Sequence, residues 1–189
     1  MIGLKRASGM KQEAELYSGS GVNATKVATP KNRSLDARTQ SAERGMTKSA
    51  DDYVIMPDFK GVIRKWICDG LGENEDWIGD SYTFGIAYKG KMAAGIILNN
   101  YRKDLDVWLT IYSVSPHWCA KSVLKYTFKT CFETLKCKRV NVLVSKDNVK
   151  SLSLCERLGF VKEGLLRQYR ENGQDCYFMG MLKKECKWL

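Results

Sequence analysis

Asn148 and Ser151 stand three residues apart in DNVKSLSLCERLGF, where an alternating valine run, RVNVLVS, gives way to a short helical stretch. A side-chain amide and a hydroxyl at the carboxyl end of a strand can hold a polar ligand. The same pair can close a helix start, with Asn148 as N-cap and Ser151 in the first turn. Both readings stay open, and one residue can do both. Other reactive types are scattered. Seven cysteines occur singly, without a C-x-x-C pair, and His117 is the only histidine. No metal site is expected from such a set, and the thiols read as free cysteines of a reducing compartment.

These residues need elements to position them. A chain of 189 residues, 44% hydrophobic, suffices for one domain with a sizeable core. No uncharged apolar run reaches membrane-spanning length, and no apolar stretch follows the Lys5-Arg6 pair, so neither a membrane span nor a signal peptide is expected. The formal charge is +10. Residues 1–50 carry 9 Lys+Arg against 4 Asp+Glu and the remainder 22 against 17, so each part contributes +5 and the first is more basic per residue. A basic excess favours nucleic acid, phosphorylated cofactors or acidic protein surfaces. Nucleic acid rests on charge alone, because no aromatic-basic stacking pattern accompanies it.

Residues 1–50, rich in Ser, Thr, Ala, Gly and charge, lack apolar periodicity. Such a segment cannot offset its own ordering entropy. It is expected to be an extended basic arm, disordered alone or laid along a protein partner or assembly. A mixed α/β domain is expected over 51–189. YVIM is a strand ending at Pro57, followed by a helix with Asp58 as its cap and Phe59, Val62, Ile63, Trp66 and Ile67 as its apolar positions. Strands on either side of Lys89-Gly90-Lys91 form a hairpin, and LDVWLTIYSV is a further strand that halts at Ser115-Pro116. The next helix carries Leu124, Phe128, Cys131, Phe132 and Leu135 on one stripe and Lys121, Lys125 and Lys129 on another. RVNVLVS is a strand, the helix after it ends at Gly159, and a closing hairpin turns at Asn172-Gly173. The strand–helix–strand passage from Leu105 to Ser145 predicts a central parallel pair.

From about Tyr53 onward, DNVKSLSLCERLGFVKEGLLR and GQDCYFMGMLKKECKW resemble the GCN5-related N-acetyltransferase (GNAT) family, in particular its ribosomal-protein-alanine acetyltransferase type and a phage-borne branch of that type. The matching words are Asn-x-x-Ser, Leu-Gly-Phe, Glu-Gly-x-x-Arg and a closing Met-Leu-x-x-Glu-Cys-x-Trp. The resemblance implies a GNAT-like mixed central sheet whose two parallel strands splay apart, flanked by helices, with the arm as an addition. It implies acetyl-CoA as cofactor, its pantetheine arm in the splay against the backbone of Tyr112 to Val114, with Asn148 and Ser151 at the other strand's end. The pyrophosphate would meet the loop and helix start at His117, Trp118, Cys119, Ala120, Lys121 and Ser122. An oxyanion would be held by a backbone N–H near Val114. A carboxylate such as Asp106, Glu163 or the Glu75/Asp76 pair would take the proton of the attacking amine.

Two departures from the family stand out. The pyrophosphate loop PHWCAKSV holds no glycine. The position of the family's acid Tyr, seven residues after the Asn, is Cys155 here, so Ser151 and Cys155 are the candidate proton donors. The implied activity is acetyl transfer to an amine by direct attack, in the cytoplasm of a host cell. The alternative is a phage virion component, a docking protein whose catalytically degenerate GNAT-like domain is tethered by its arm.

Overall fold

A computed structural model describes Ile2–Gly3 and residues 52–189. The expectation of an arm over 1–50 lies outside the described residues except at Ile2–Gly3, which form a short strand, β1. The remaining elements are β2 (Tyr53–Pro57), α1 (Val62–Leu71), β3 (Ser81–Tyr88), β4 (Lys91–Arg102), β5 (Asp106–Ser113), α2 (Lys121–Lys129), β6 (Arg139–Ser145), α3 (Val149–Leu158), β7 (Val161–Leu166) and β8 (Cys176–Leu182). Seven strands lie side by side in the order β2-β3-β4-β5-β6-β8-β7, and β1 adds to β5.

Local chemistry explains the main turns. Lys89 and Gly90 both take positive φ, 49° and 75°, the pair that a tight β3–β4 hairpin requires. Gly159 stops α3 in the left-handed region, its N–H donating to the Cys155 and Glu156 carbonyls. In the closing hairpin Gly173 has φ 76°, and the Asn172 side chain accepts from the Gln174 N–H. Asp58 does cap α1, but from outside it: its carboxylate accepts from the N–H groups of Ile63 and Arg64. Phe59 and Val62, expected on the apolar stripe, are 76% and 53% exposed because α1 begins only at Val62 and buries Ile63, Ile67 and Cys68 instead.

Burial is divided between the two faces of the sheet. One core packs Phe84, Ile96, Leu109 and Ile111 against Trp118, Leu124, Phe128 and Phe132 of α2 and its flanks, and against Leu152 and Cys155 of α3. The other packs Ile97 and Tyr112 against Ile63, Ile67 and Cys68 of α1. Alternate residues of β4 and β5 therefore serve different cores, as the period of two demands. Leu124, Phe128, Cys131 and Phe132 of the predicted stripe are buried and Leu135 is half-buried, and the helix runs on through a π-helical turn at Thr130–Thr134.

The central pair is parallel, as the sequence predicts. Its register covers only Asp106–Arg139, Val107–Val140 and Trp108–Asn141. Beyond Trp108 and Asn141 the two strands run on to Ser113 and Ser145 without pairing to each other, so they open into a V. β6 meanwhile keeps antiparallel pairing with β8 along its whole length. Asp106 locks the closed end. Its carboxylate accepts from Arg102 Nε at 2.6 Å and Nη2 at 2.7 Å, and from Asn141 Nδ2 at 2.7 Å.

Candidate active site

Each arm of the V ends in a buried hydroxyl. Ser113 closes β5 and is 3% exposed; Ser151, in the first turn of α3 just after β6, is fully buried. Among the described residues neither Oγ has a hydrogen-bond partner. A buried polar atom left unpaired costs about 1–3 kcal/mol. Trp77 Nε1 and Asn99 Oδ1 are likewise buried without a partner among the described residues; Ser113 and Ser151 differ in standing at the ends of the two splayed strands.

Asn148 takes the capping role. Its Oδ1 accepts from the Ser151 N–H at 3.1 Å, and its own N–H donates to the Ser145 carbonyl at 2.9 Å. The cap orients the first turn of α3 and so carries Ser151 inward. Cys155 lies one turn further on, with no exposed surface. Burial pushes its thiol up to about 12. A thiol so reluctant to ionise is a poorer proton donor than an ordinary one near ~8.5.

On the other arm, Tyr112 turns its ring away from the V. The ring packs edge-on against Trp66, centroids 4.9 Å apart, and fills the space left by Gly70 of α1, where a Cβ would overlap it. Its backbone remains part of the β5 edge. The Val114 N–H, expected to serve the oxyanion, donates instead to the Ala93 carbonyl of β4 at 3.0 Å. Successive backbone N–H groups along a strand point to opposite sides. The groups turned toward the gap are therefore those of Ile111 and Ser113. Sequence reasoning passed over Ser113; its signal is a small polar residue ending an otherwise apolar strand.

The loop after β5 is tight. Pro116–Cys119 forms a 3-10 turn whose first N–H groups are capped by Ser115, with His117 N–H donating to the Ser115 Oγ. His117 is exposed and stacks on Tyr88 at 4.6 Å between centroids. Trp118 is 2% exposed and belongs to the core. Burial raises the Cys119 thiol above its ordinary range. Ala120 caps α2 without any side-chain bond, and exposed Lys121 begins the helix, with Ser122 next. A cleft of about 760 Å³ lies between this loop and α3, lined by Trp118, Cys119 and Leu124 on one side and Lys150, Ser153 and Arg157 on the other. Its lining is largely apolar, with Lys150 and Arg157 as its cationic side chains. A second cleft of about 730 Å³, among Lys136, Lys138, Lys183 and Lys184, lies by the start of β6, at the closed end of the V.

The carboxylates named as bases are engaged elsewhere. Asp106 sits in the lock, where hydrogen bonding from Arg102 holds its carboxyl below the usual range against the opposing effect of burial. Glu163 pairs with Arg139, and Glu75 with Arg64 at 3.1 Å. Asp76 bonds the Asn74 amide that caps its own turn. Glu73, not singled out from sequence, pairs at 3.1 Å with Arg170 of the β7–β8 connection. That pair links the segment after α1, which packs on β5, to the hairpin that flanks β6. Among the described residues there is no cluster of side chains fit to hold a metal ion, and no helix is long and apolar enough to cross a membrane.

A mixed sheet with a splayed parallel pair at its centre, helices on both faces and a helix starting at the end of each splayed strand is the fold of the GNAT acetyltransferases. Solved structures agree. A variant of the spermidine N-acetyltransferase SpeG from Vibrio cholerae superposes with a TM-score of 0.58 at 17% identity, covering 73% of this chain and 96% of that one. The same enzyme in complex with CoA and spermine gives 0.57 at 16%, covering 71% and 97%. A probable acetyltransferase gives 0.59 at 19%, covering 74% and 98%. No protein-family model matches the chain, and no curated protein matches it in sequence.

Proposed function

We propose that the chain is an acetyl-CoA-dependent N-acetyltransferase that delivers an acetyl group to an amine by direct attack. The observation that carries this is the V itself, with the buried Ser113 and Ser151 hydroxyls, unpartnered among the described residues, at the ends of its two strands. The likeness to an acetyltransferase described with CoA and an amine supports the reading. Acetyl-CoA would supply an activated thioester. Ser151 Oγ would donate to its sulfur or pantetheine side, Ser113 and Ile111 backbone groups would line its arm, and Ser113 N–H would face the acyl oxygen. The start of α2, with Lys121, and the cleft cations Lys150 and Arg157 would meet its phosphates.

The acceptor side follows from charge. The segment 69–80 holds Asp69, Glu73, Glu75, Asp76 and Asp80 and no Lys or Arg, within a chain of +10. Asp69, Glu73 and Glu75 pair with Lys65, Arg170 and Arg64, which leaves Asp76 and Asp80 to attract a cationic amine. An aliphatic amine with a pKa of about 10.4 must shed a proton before it attacks. Asp106 is unfit for that step because it is buried, its oxygens already accept three hydrogen bonds, and these lower its affinity for a proton. Acetyl-CoA turnover with a panel of small polyamines and N-terminal peptides, followed by free thiol release, tests the reading. Saturable turnover on one acceptor class supports it; thiol release no faster than the buffer rate with every acceptor contradicts it.

A second reading keeps the fold without the chemistry. The glycine-free loop, Cys155 at the acid position and the engaged Val114 N–H all favour a degenerate domain that docks a larger assembly through residues 1–50, as a phage particle component would. Residues 1–50 would then contact an acidic protein surface, and association should weaken with salt.

A further inference from the structure

β1 occupies the backbone edge that a cofactor in the V would need. Ile2 lies opposite Ile111 and Gly3 opposite Tyr112, in parallel register with β5. β1 also lies against β6, so it stands between the two splayed strands. The Val114 N–H faces β4. By strand alternation the groups that β1 meets are those of Ile111 and Ser113, the same groups the pantetheine arm would use. One N–H cannot serve both.

We propose that Ile2–Gly3 is a tethered occupant of the cofactor gap, a strand that takes the place of the pantetheine arm and must leave before acetyl-CoA enters. The proposal rests on the acetyl-CoA reading of the same gap. Among the described residues the pairing spans two, and it can be displaced by a ligand that adds phosphate and thioester contacts. Occupancy taxes affinity directly: if the gap is free a tenth of the time, apparent affinity falls about tenfold. Anything that draws residues 2–3 away, such as a partner of the adjoining basic segment, would switch the site on.

Calorimetric titration with acetyl-CoA of three proteins tests this: the full chain, Gly3→Pro in the full chain, and the chain lacking residues 1–5. Proline removes the backbone donor that parallel pairing needs, and melting curves confirm that each variant is folded. Both variants are expected to bind about tenfold tighter than the parent, with faster amide exchange at Ser113 in the absence of ligand. Equal affinity in all three overturns the competition and leaves the acetyltransferase reading standing. Weaker binding in the variants also overturns it, since β1 would then be a wall of the site. If none of the three binds, the acetyltransferase reading falls and the competition with it.

Discussion

Ser151 Oγ is buried with no partner among the described residues, which sets two effects of its removal against each other. Ser151→Ala deletes an unsatisfied polar atom from the core, so melting temperature should hold or rise. It also deletes a donor to the cofactor, so acetyl-CoA affinity should fall roughly two- to tenfold, the worth of one net hydrogen bond. A fall in both would make Ser151 a structural residue. Asn148→Ala should behave differently. Losing the cap costs ~0.5–2 kcal/mol of stability, and affinity should drop too, since Ser151 loses its orientation. Asp106 gives a pH prediction. Its folded pKa is depressed, first by Arg102 and then by Asn141, with burial opposing. Its stabilisation is therefore complete above the ordinary Asp value of about 3.9 and is lost as pH falls through the lower folded value. Asp106→Asn should flatten that acid limb in melting temperature measured against pH; an unchanged limb would mean that other carboxylates set it.

At the scale of elements, α1 is placed by Gly70, which leaves room for the Tyr112 ring. Gly70→Leu should push α1 off β5 and cost ~1–3 kcal/mol by overpacking, with acetyl-CoA affinity falling as the β5 edge shifts. A variant that melts like the parent would show that the contact yields freely. Much at this scale was legible in the sequence. The α2 stripe, the Lys89-Gly90 and Asn172-Gly173 turns and the order of strands are local patterns, and local patterns survive folding. The parallel β5–β6 pair followed from a strand–helix–strand passage. What escaped was set by distant partners. Phe59 and Val62 lie outside the buried face because α1 starts at Val62, after Gly61 turns the chain in the left-handed region. The Val114 N–H is lost to Ala93 of a neighbouring strand. Asp106 looked like a free carboxylate because Asn141, 35 residues away, and Arg102, across a tight turn, could not be seen to converge on it. No periodicity marks Ile2–Gly3 as a strand; only the vacant edge of β5 makes it one.

Among the described residues, the sheet supplies a splayed gap between β5 and β6, a helix that follows each of those strands, and a short strand of the same chain inside the gap. The most direct test of the central claim, that this gap is the cofactor site, is an amide hydrogen-exchange footprint of the full chain with and without acetyl-CoA. The two clefts and the V lie in separable peptides, so the map discriminates among them. The account predicts slower exchange at the start of α2 (120–123) and in the first turn of α3 (148–152), with faster exchange at residues 2–3 as β1 is displaced. Slower exchange confined to residues 136–138 and 183–184, or no change anywhere at saturating acetyl-CoA, would contradict it.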